Sequence, residues 1–217
     1  MIAAEVSSLI EYAIAAALLY FYAKSKDKAA LYFGLGVLTY ALAHTLGGTV
    51  LSWIRQEYNY EMAKFVKDVN YKVFESLRNV LVASFMALSL MVISQLVKDL
   101  LKSKVAEYVK VYAAVGALAF LALRLYCVWV AEDVKHPFFA LAQWVFLIPG
   151  SLVAAAAGFQ IYYKLKVLGG LLLGLSFLVY AAILPLYAAW KGTPMLNTWY
   201  VLRIISDVLL LAGVLYL

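Results

Sequence analysis

Seven apolar stretches, at roughly 6–23, 29–52, 73–97, 106–130, 138–161, 167–189 and 197–217, take up most of this chain. Each is long enough, or nearly so, to cross a hydrocarbon core, which needs about 20 residues of α-helix. A backbone inside lipid must satisfy its own hydrogen bonds, so stretches of this length predict helices. The fold class is therefore all-α, a polytopic membrane bundle of seven helices. With no Ser/Gly/Pro-rich linker, residues 1–217 read as one domain. A composition of 66% hydrophobic and 14% charged residues, with a mean hydropathy of +0.90, departs from soluble domains in the same direction. The first stretch lacks a basic leader and a small-residue cleavage pattern, so it reads as a retained helix. The chain ends within the seventh stretch, so any signalling output is expected to pass through a partner.

Orientation follows from the basic residues of the connections, which are retained on the cytoplasmic side. One set of connections holds Lys24, Lys26, Lys28, Lys98, Lys102, Lys104, Lys110, Lys164 and Lys166 against only Asp27, Asp99 and Glu107. The other holds Arg55, Lys64, Lys67, Lys72, Lys135 and Lys191, offset by Glu5, Glu57, Glu61, Asp68, Glu132 and Asp133. The N-terminus is thus expected outside and the C-terminus inside. The net charge of +6 then forms a basic rim facing the anionic inner leaflet of a cell membrane, a better match than nucleic acid. Trp53, Trp129, Trp144, Trp190 and Trp199 fall at or near the outer edge, and tyrosines such as Tyr20, Tyr108 and Tyr163 at the inner edge, which reads as aromatic belts. Low cysteine, asparagine and glutamine content fits a thermophile.

Leu31, Gly34, Leu35, Leu38, Tyr40 and Ala41 of the second stretch recur as Leu171, Gly174, Leu175, Leu178, Tyr180 and Ala181 of the sixth, in the same spacing. With an arginine near the outer ends of the third and seventh stretches, this suggests a 3+1+3 parallel repeat, an arrangement known in transporters. Shared helix-packing chemistry accounts for the match equally well. Gly170 and Gly174, and the run from Ala154 to Gly158, are small enough for close helix contact. Pro149 and Gly150 predict a kink midway along the fifth stretch. Ile54, Tyr58, Met62, Phe65 and Val69 recur at helical spacing among charged residues, which predicts an interfacial amphipathic helix over about 54–70 on the outer surface.

Charge inside the membrane stretches is placed selectively. Of the four arginines, Arg78, Arg124 and Arg203 lie within them, and of the fourteen lysines only Lys110 falls inside a stretch, near the inner end of the fourth. Glu11, Glu75 and Asp207 supply three acids against those three bases, with Glu75–Arg78 at i,i+3 and Arg203–Asp207 at i,i+4. At 1.5 Å per residue, Glu11, His44, Glu75, Arg78, Arg124 and Arg203 fall in the outer half, with Asp207 near the middle, Gln143 beside them and Tyr40 and Tyr180 deeper. Intramembrane ionisable groups are costly, and they mark either a ligand site or a salt-bridge network joining helices. Arginine suits an anion site because its planar fork keeps its charge and binds through two parallel hydrogen bonds.

The expected function is a seven-helix protein binding a small polar or anionic ligand through Arg78, Arg124, Arg203, Asp207, Glu75, Glu11 and Gln143, as a transporter-like or sensor-like module. The alternative is a membrane subunit of a redox or other multi-protein complex, with a b-type haem held by His44 and His136. No catalytic residue is marked: GxSxG, HExxH and phosphate-loop patterns are absent, and the seventh stretch has no lysine for a retinal Schiff base. Two histidines and one cysteine are too few for a protein-only zinc site of the usual kind.

Overall fold

The computed structural model describes residues 2–101, 105–191 and 193–216. Lys102 and Lys104 of the basic set, and Leu217 of the seventh stretch, lie outside the described residues. The described residues form helices and no strand. α1 (Ile2–Ser25) is followed by α2 (Lys28–Thr45), which a π-helical turn (Leu46–Val50) continues into α3 (Leu51–Glu57). After the short α4 (Met62–Phe65) come α5 (Val69–Leu101) and α6 (Val105–Trp129). α7 (Pro137–Ala142) runs through a second π-helical turn (Gln143–Leu147) into α8 (Ile148–Leu165), and α9 (Leu168–Trp190) and α10 (Leu196–Leu215) follow.

Seven of these units are long and apolar enough to span a membrane: α1, α2–α3, α5, α6, α7–α8, α9 and α10. The protein is an integral, multi-pass membrane bundle, and the spans match the seven apolar stretches of the sequence. They pack in chain order, α1 on α2, α2 on α5, α5 on α6, α6 on α7, α8 on α9 and α9 on α10, and α10 returns to α1 to close a ring. α5 also touches α8 across the ring. The end of the bundle bearing Lys24, Lys98 and Lys164 is termed the lysine end, and the opposite end, bearing Trp53, Trp129 and Trp190, the tryptophan end.

Both connections into α2 and α9 are built alike. Lys26 and Lys166 take left-handed backbone, with φ of 58° and 57°, and their amides return to the carbonyls of Tyr22 and Tyr162, each at 2.8 Å. The glycines that follow serve the same purpose in each pair: Gly34 of α2 lies against Leu18 and Leu19 of α1, and Gly174 of α9 against Ala155 and Phe159 of α8. The α8–α9 contact is the tighter. A Cβ on Gly158 would come to 2.5 Å from the Gly174 nitrogen and 2.9 Å from the Gly170 oxygen, so backbone meets backbone and no larger residue fits.

Ahead of Pro149, where the sequence predicts a kink, the span contains a π turn over Gln143–Leu147 that ends two residues before the proline. Proline has no N–H for the carbonyl of Val145, four residues earlier. The Tyr112 hydroxyl of α6 donates to that oxygen at 2.8 Å and lies 3.0 Å from the Phe146 oxygen, which restores the hydrogen bonding lipid cannot supply.

The stretch 54–70 is not one amphipathic helix. α3 extends the second span to Glu57, Asn59 and Tyr60 turn the chain with φ of 50° and 60°, and α4 is one turn long. Asp68 arrests continuation into α5 by accepting the Tyr71 amide at 2.9 Å and the Tyr58 hydroxyl at 2.9 Å. Ile54 and Phe65 instead point into a small core with Leu51, Val66, Tyr71 and Val134. Helical spacing was present, but the turn chemistry of Asn59–Tyr60 and Asp68 overrode it.

Candidate functional site

The buried charged residues and His44 sort into two clusters and, among the described residues, one arginine with no ion pair. Glu75 of α5 is the hub of the first. Arg78, one turn later, grips it through two donors, Nε to Oε2 at 3.2 Å and Nη2 to Oε1 at 2.7 Å. Lys191, at the C-terminus of α9, donates to the same Oε1, and Arg55 of α3 holds Nη2 3.8 Å from Oε2. One carboxylate therefore serves three cations contributed by three spans.

Two of those cations were expected at the membrane surface. Lys191 and Arg55 fall in outer connections by sequence, yet they are 0% and 2% exposed. A lysine one residue beyond an apolar run ordinarily extends its stem to water. Here the partner that reverses the stem is Glu75, on another helix, so no local signal marks the reversal. For Arg55, the signal was the run of apolar periodicity past Val50, which the π turn carries directly into α3.

The second cluster joins α1, α2 and α10. Arg203 places Nε 2.9 Å from Asp207 Oδ1 and Nη2 3.6 Å from Glu11 Oε1. His44 Nδ1 lies 2.9 Å from both Glu11 oxygens, and the Ser7 hydroxyl donates to Asp207 Oδ2. The Arg203 guanidinium sits between two aromatic rings, with Cζ 4.7 Å from the Tyr40 centroid and 4.1 Å from that of Tyr180. The two tyrosines matched in the sequence repeat thus meet on one cation. Ser176 and Ser206 bind each other's backbone carbonyls at 2.8 and 2.9 Å, clamping α9 to α10, and Ser206 also accepts Arg203 Nη1 at 3.0 Å.

Arg124 of α6 differs from both clusters. It has no ion pair among the described residues, and its Nε and Nη1 have no hydrogen-bond acceptor. What holds it is an aromatic face: Cζ lies 3.4 Å from the Phe139 centroid and 5.0 Å from that of Phe120. Lys191 Nζ also contacts the Phe139 ring, at 4.1 Å. Arg124 shares a cavity of about 20 Å³ with Arg78, Asn79, Gln143, His44 and Tyr187, room for about one water-sized occupant. Gln143 Nε2 and Asn79 Nδ2, both buried, also lack acceptors. Gln143 opens one π turn and His44 lies two residues before the other, so both local distortions flank this cavity. π turns inside α-helices recur at functional sites because they shift a side chain off the regular helical stripe.

Nearer the tryptophan end lies a second cavity of about 90 Å³, lined in part by Gly47, Arg55, Thr193, Asn197 and Tyr200. Tyr200, which lines this cavity, sets its ring edge-on at 5.7 Å to His44, which lines the smaller one. A Cβ on Gly47 would lie 3.0 Å from the Tyr200 hydroxyl and 3.2 Å from Arg78 Cδ, so the glycine leaves room for both.

The structure does not bring the two histidines together. His44 packs among Tyr40, Trp199 and Tyr200, whereas His136 caps α7 by accepting the Phe138 amide and lies edge-on to Tyr126 and Phe138. Trp199 also departs from the aromatic belt: it is buried and donates to the Ile183 carbonyl at 2.9 Å. Of the seven residues expected to bind ligand, Arg78, Arg124 and Gln143 line the inner cavity, Glu75 adjoins them through Arg78, and Glu11, Arg203 and Asp207 form the second cluster. Comparisons with protein-family models, curated proteins and solved structures find no match to this chain.

Proposed function

We propose that this membrane protein binds a small anion in the cavity beside Arg124, as a transport module with access from the tryptophan end. The carrying observation is the sign of the unmet hydrogen bonding. Every orphaned polar atom facing this cavity, Arg124 Nε and Nη1, Asn79 Nδ2 and Gln143 Nε2, is a donor. Among the described residues, no aspartate or glutamate lines it. A guanidinium has donors and no acceptor, and a buried unpaired charge costs several kcal/mol, so the missing partner is an acceptor carrying negative charge. Charge in the bundle interior points the same way: among the described residues, Arg55, Arg78, Arg124, Lys191 and Arg203 are buried with only Glu11, Glu75 and Asp207.

Size narrows the class. Room for about one water-sized occupant suits a halide or an anion of similar radius better than an organic acid. The larger cavity behind Tyr200 supports passage from the tryptophan end, and the like-built α1–α2 and α8–α9 pairs support the repeat reading that transporters share. The alternative of a haem-bearing subunit gains nothing from the separate surroundings of His44 and His136.

The test is radiolabelled chloride binding to the purified protein in detergent, with bromide and nitrate as competitors. Saturable binding is expected, and Arg124→Gln is expected to weaken it about 10- to 100-fold while leaving a folded protein. Undiminished binding by folded Arg124→Gln would sink the assignment of the site. Chloride flux into proteoliposomes then separates transport from binding alone.

A further inference from the structure

We infer that the Glu11–Asp207 pair is a proton-binding site coupled through His44 to the anion cavity, which makes the protein a proton-linked anion carrier. The inference rests on the anion reading of that cavity and adds a second ligand to it.

The cluster has two acids and one fixed cation. Arg203 touches both carboxylates, at 2.9 Å to Asp207 and 3.6 Å to Glu11, and can neutralise only one. Glu11 Oε1, Asp207 Oδ1 and Arg203 Nε are all buried with no hydrogen bond, Nε lying 2.9 Å from Oδ1 without being aligned on it, so two orphaned acceptors face one orphaned donor. Orphaned acceptors call for a hydrogen, as the orphaned donors beside Arg124 call for an acceptor. A proton on either carboxyl supplies it and cancels the surplus negative charge.

The other groups packed on the cluster do not remove that surplus. From α1, Ser7 donates to Asp207 and is already engaged. From α2 come the neutral ring of Tyr40 and His44, whose Nδ1 is held by Glu11. α9 contributes Tyr180 over Arg203, and α10 contributes Ser206, which accepts from Arg203. The next cation, Arg78 of α5, is committed to Glu75. A metal ion is a poorer occupant than a proton, since among the described residues no three His, Cys, Asp or Glu side chains are placed to hold one.

Coupling follows from adjacency. His44 lines the anion cavity and touches Glu11, so one side chain separates the two sites. An anion against His44 adds negative charge beside a cluster already short of a cation, and a proton at the carboxyl pair relieves that repulsion. The proton comes from the solvent with the anion, no covalent bond other than the carboxyl O–H is made, and the loaded and empty states carry the same charge. By linkage, each ligand then strengthens the other.

Two measurements test this on the full chain in detergent. Infrared difference spectra between acid and alkaline pH are expected to show a protonated-carboxyl C=O band that disappears in Glu11→Gln or in Asp207→Asn. Absence of such a band from the wild type overturns the proton site, whether or not any variant folds. Chloride added to weakly buffered protein with a pH indicator is expected to draw in about one proton per chloride bound, with affinity falling up to tenfold per pH unit once the pair is deprotonated. Chloride binding with no proton uptake overturns the coupling and leaves the anion site standing. Failure of chloride to bind at any pH overturns the anion reading and the coupling together, while the carboxyl band still rules on the proton site.

Discussion

The Glu75 cluster and the Glu11–Asp207 cluster draw on the same residue types, yet their imbalances have opposite sign. Around Glu75, Arg55, Arg78 and Lys191 share one acid, and orphaned donors lie next door. Around Arg203, two acids share one fixed cation, and the orphaned atoms include acceptors. A structural network alone would be expected to pair charges locally, because each surplus inside lipid is costly. Two neighbouring surpluses of opposite sign are what an anion site beside a proton site requires.

The comparison breaks most directly at its hubs. Glu75→Gln leaves three buried cations without a carboxylate and is expected to cost about 3–5 kcal/mol, the range for stripping one partner from a buried pair. Thermal unfolding in detergent should show Glu75→Gln far less stable than Glu11→Gln, which removes an acid from the acid-rich cluster. Equal losses would mean that the clusters are not unbalanced as described. Arg124→Gln comes next: chloride affinity is expected to fall by about 1.5–3 kcal/mol, while the melting temperature holds or rises, since no carboxylate loses a partner.

Smaller effects sharpen the contrast. Lys191→Met keeps the stem against Phe139 and leaves Glu75 gripped by Arg78, so the expected loss is about 1 kcal/mol in the same unfolding assay. At the tryptophan end, Lys72 donates to Glu132 and holds that carboxyl below the usual carboxylate range. A carboxyl lowered on folding stabilises above its unfolded value, about 4.3, and that contribution is lost as pH falls through the lower folded value. Glu132→Gln should therefore lower the melting temperature slightly at pH 7, and the gap to wild type should close as the pH drops below about 4.3. The effect is small because the pair is partly exposed.

Much of this was legible in the residues. The spans announced themselves because lipid leaves a chain little choice beyond helices of membrane length. Glu75 with Arg78 and Arg203 with Asp207 were visible as local spacings, and both pairs are in contact. Gln143 could be named as a companion, although its place on the cavity depends on the π turn it opens. Lys191 and Arg55 could not be found this way, since their depth is set by an acid on a different helix. The amphipathic stretch misled because turn residues ended the helix that its periodicity described.

The sequence by itself determined that this chain is a seven-helix membrane protein and which residues bring charge into the membrane, because both follow from local hydropathy and helical spacing. Only the tertiary structure decided which charges share a partner, that Arg124 has no carboxylate partner among the described residues, and that Arg55 and Lys191 turn inward. Those outcomes depend on which helices become neighbours in the ring, and pairing across 116 residues, as between Lys191 and Glu75, leaves no trace in the spacing along the chain.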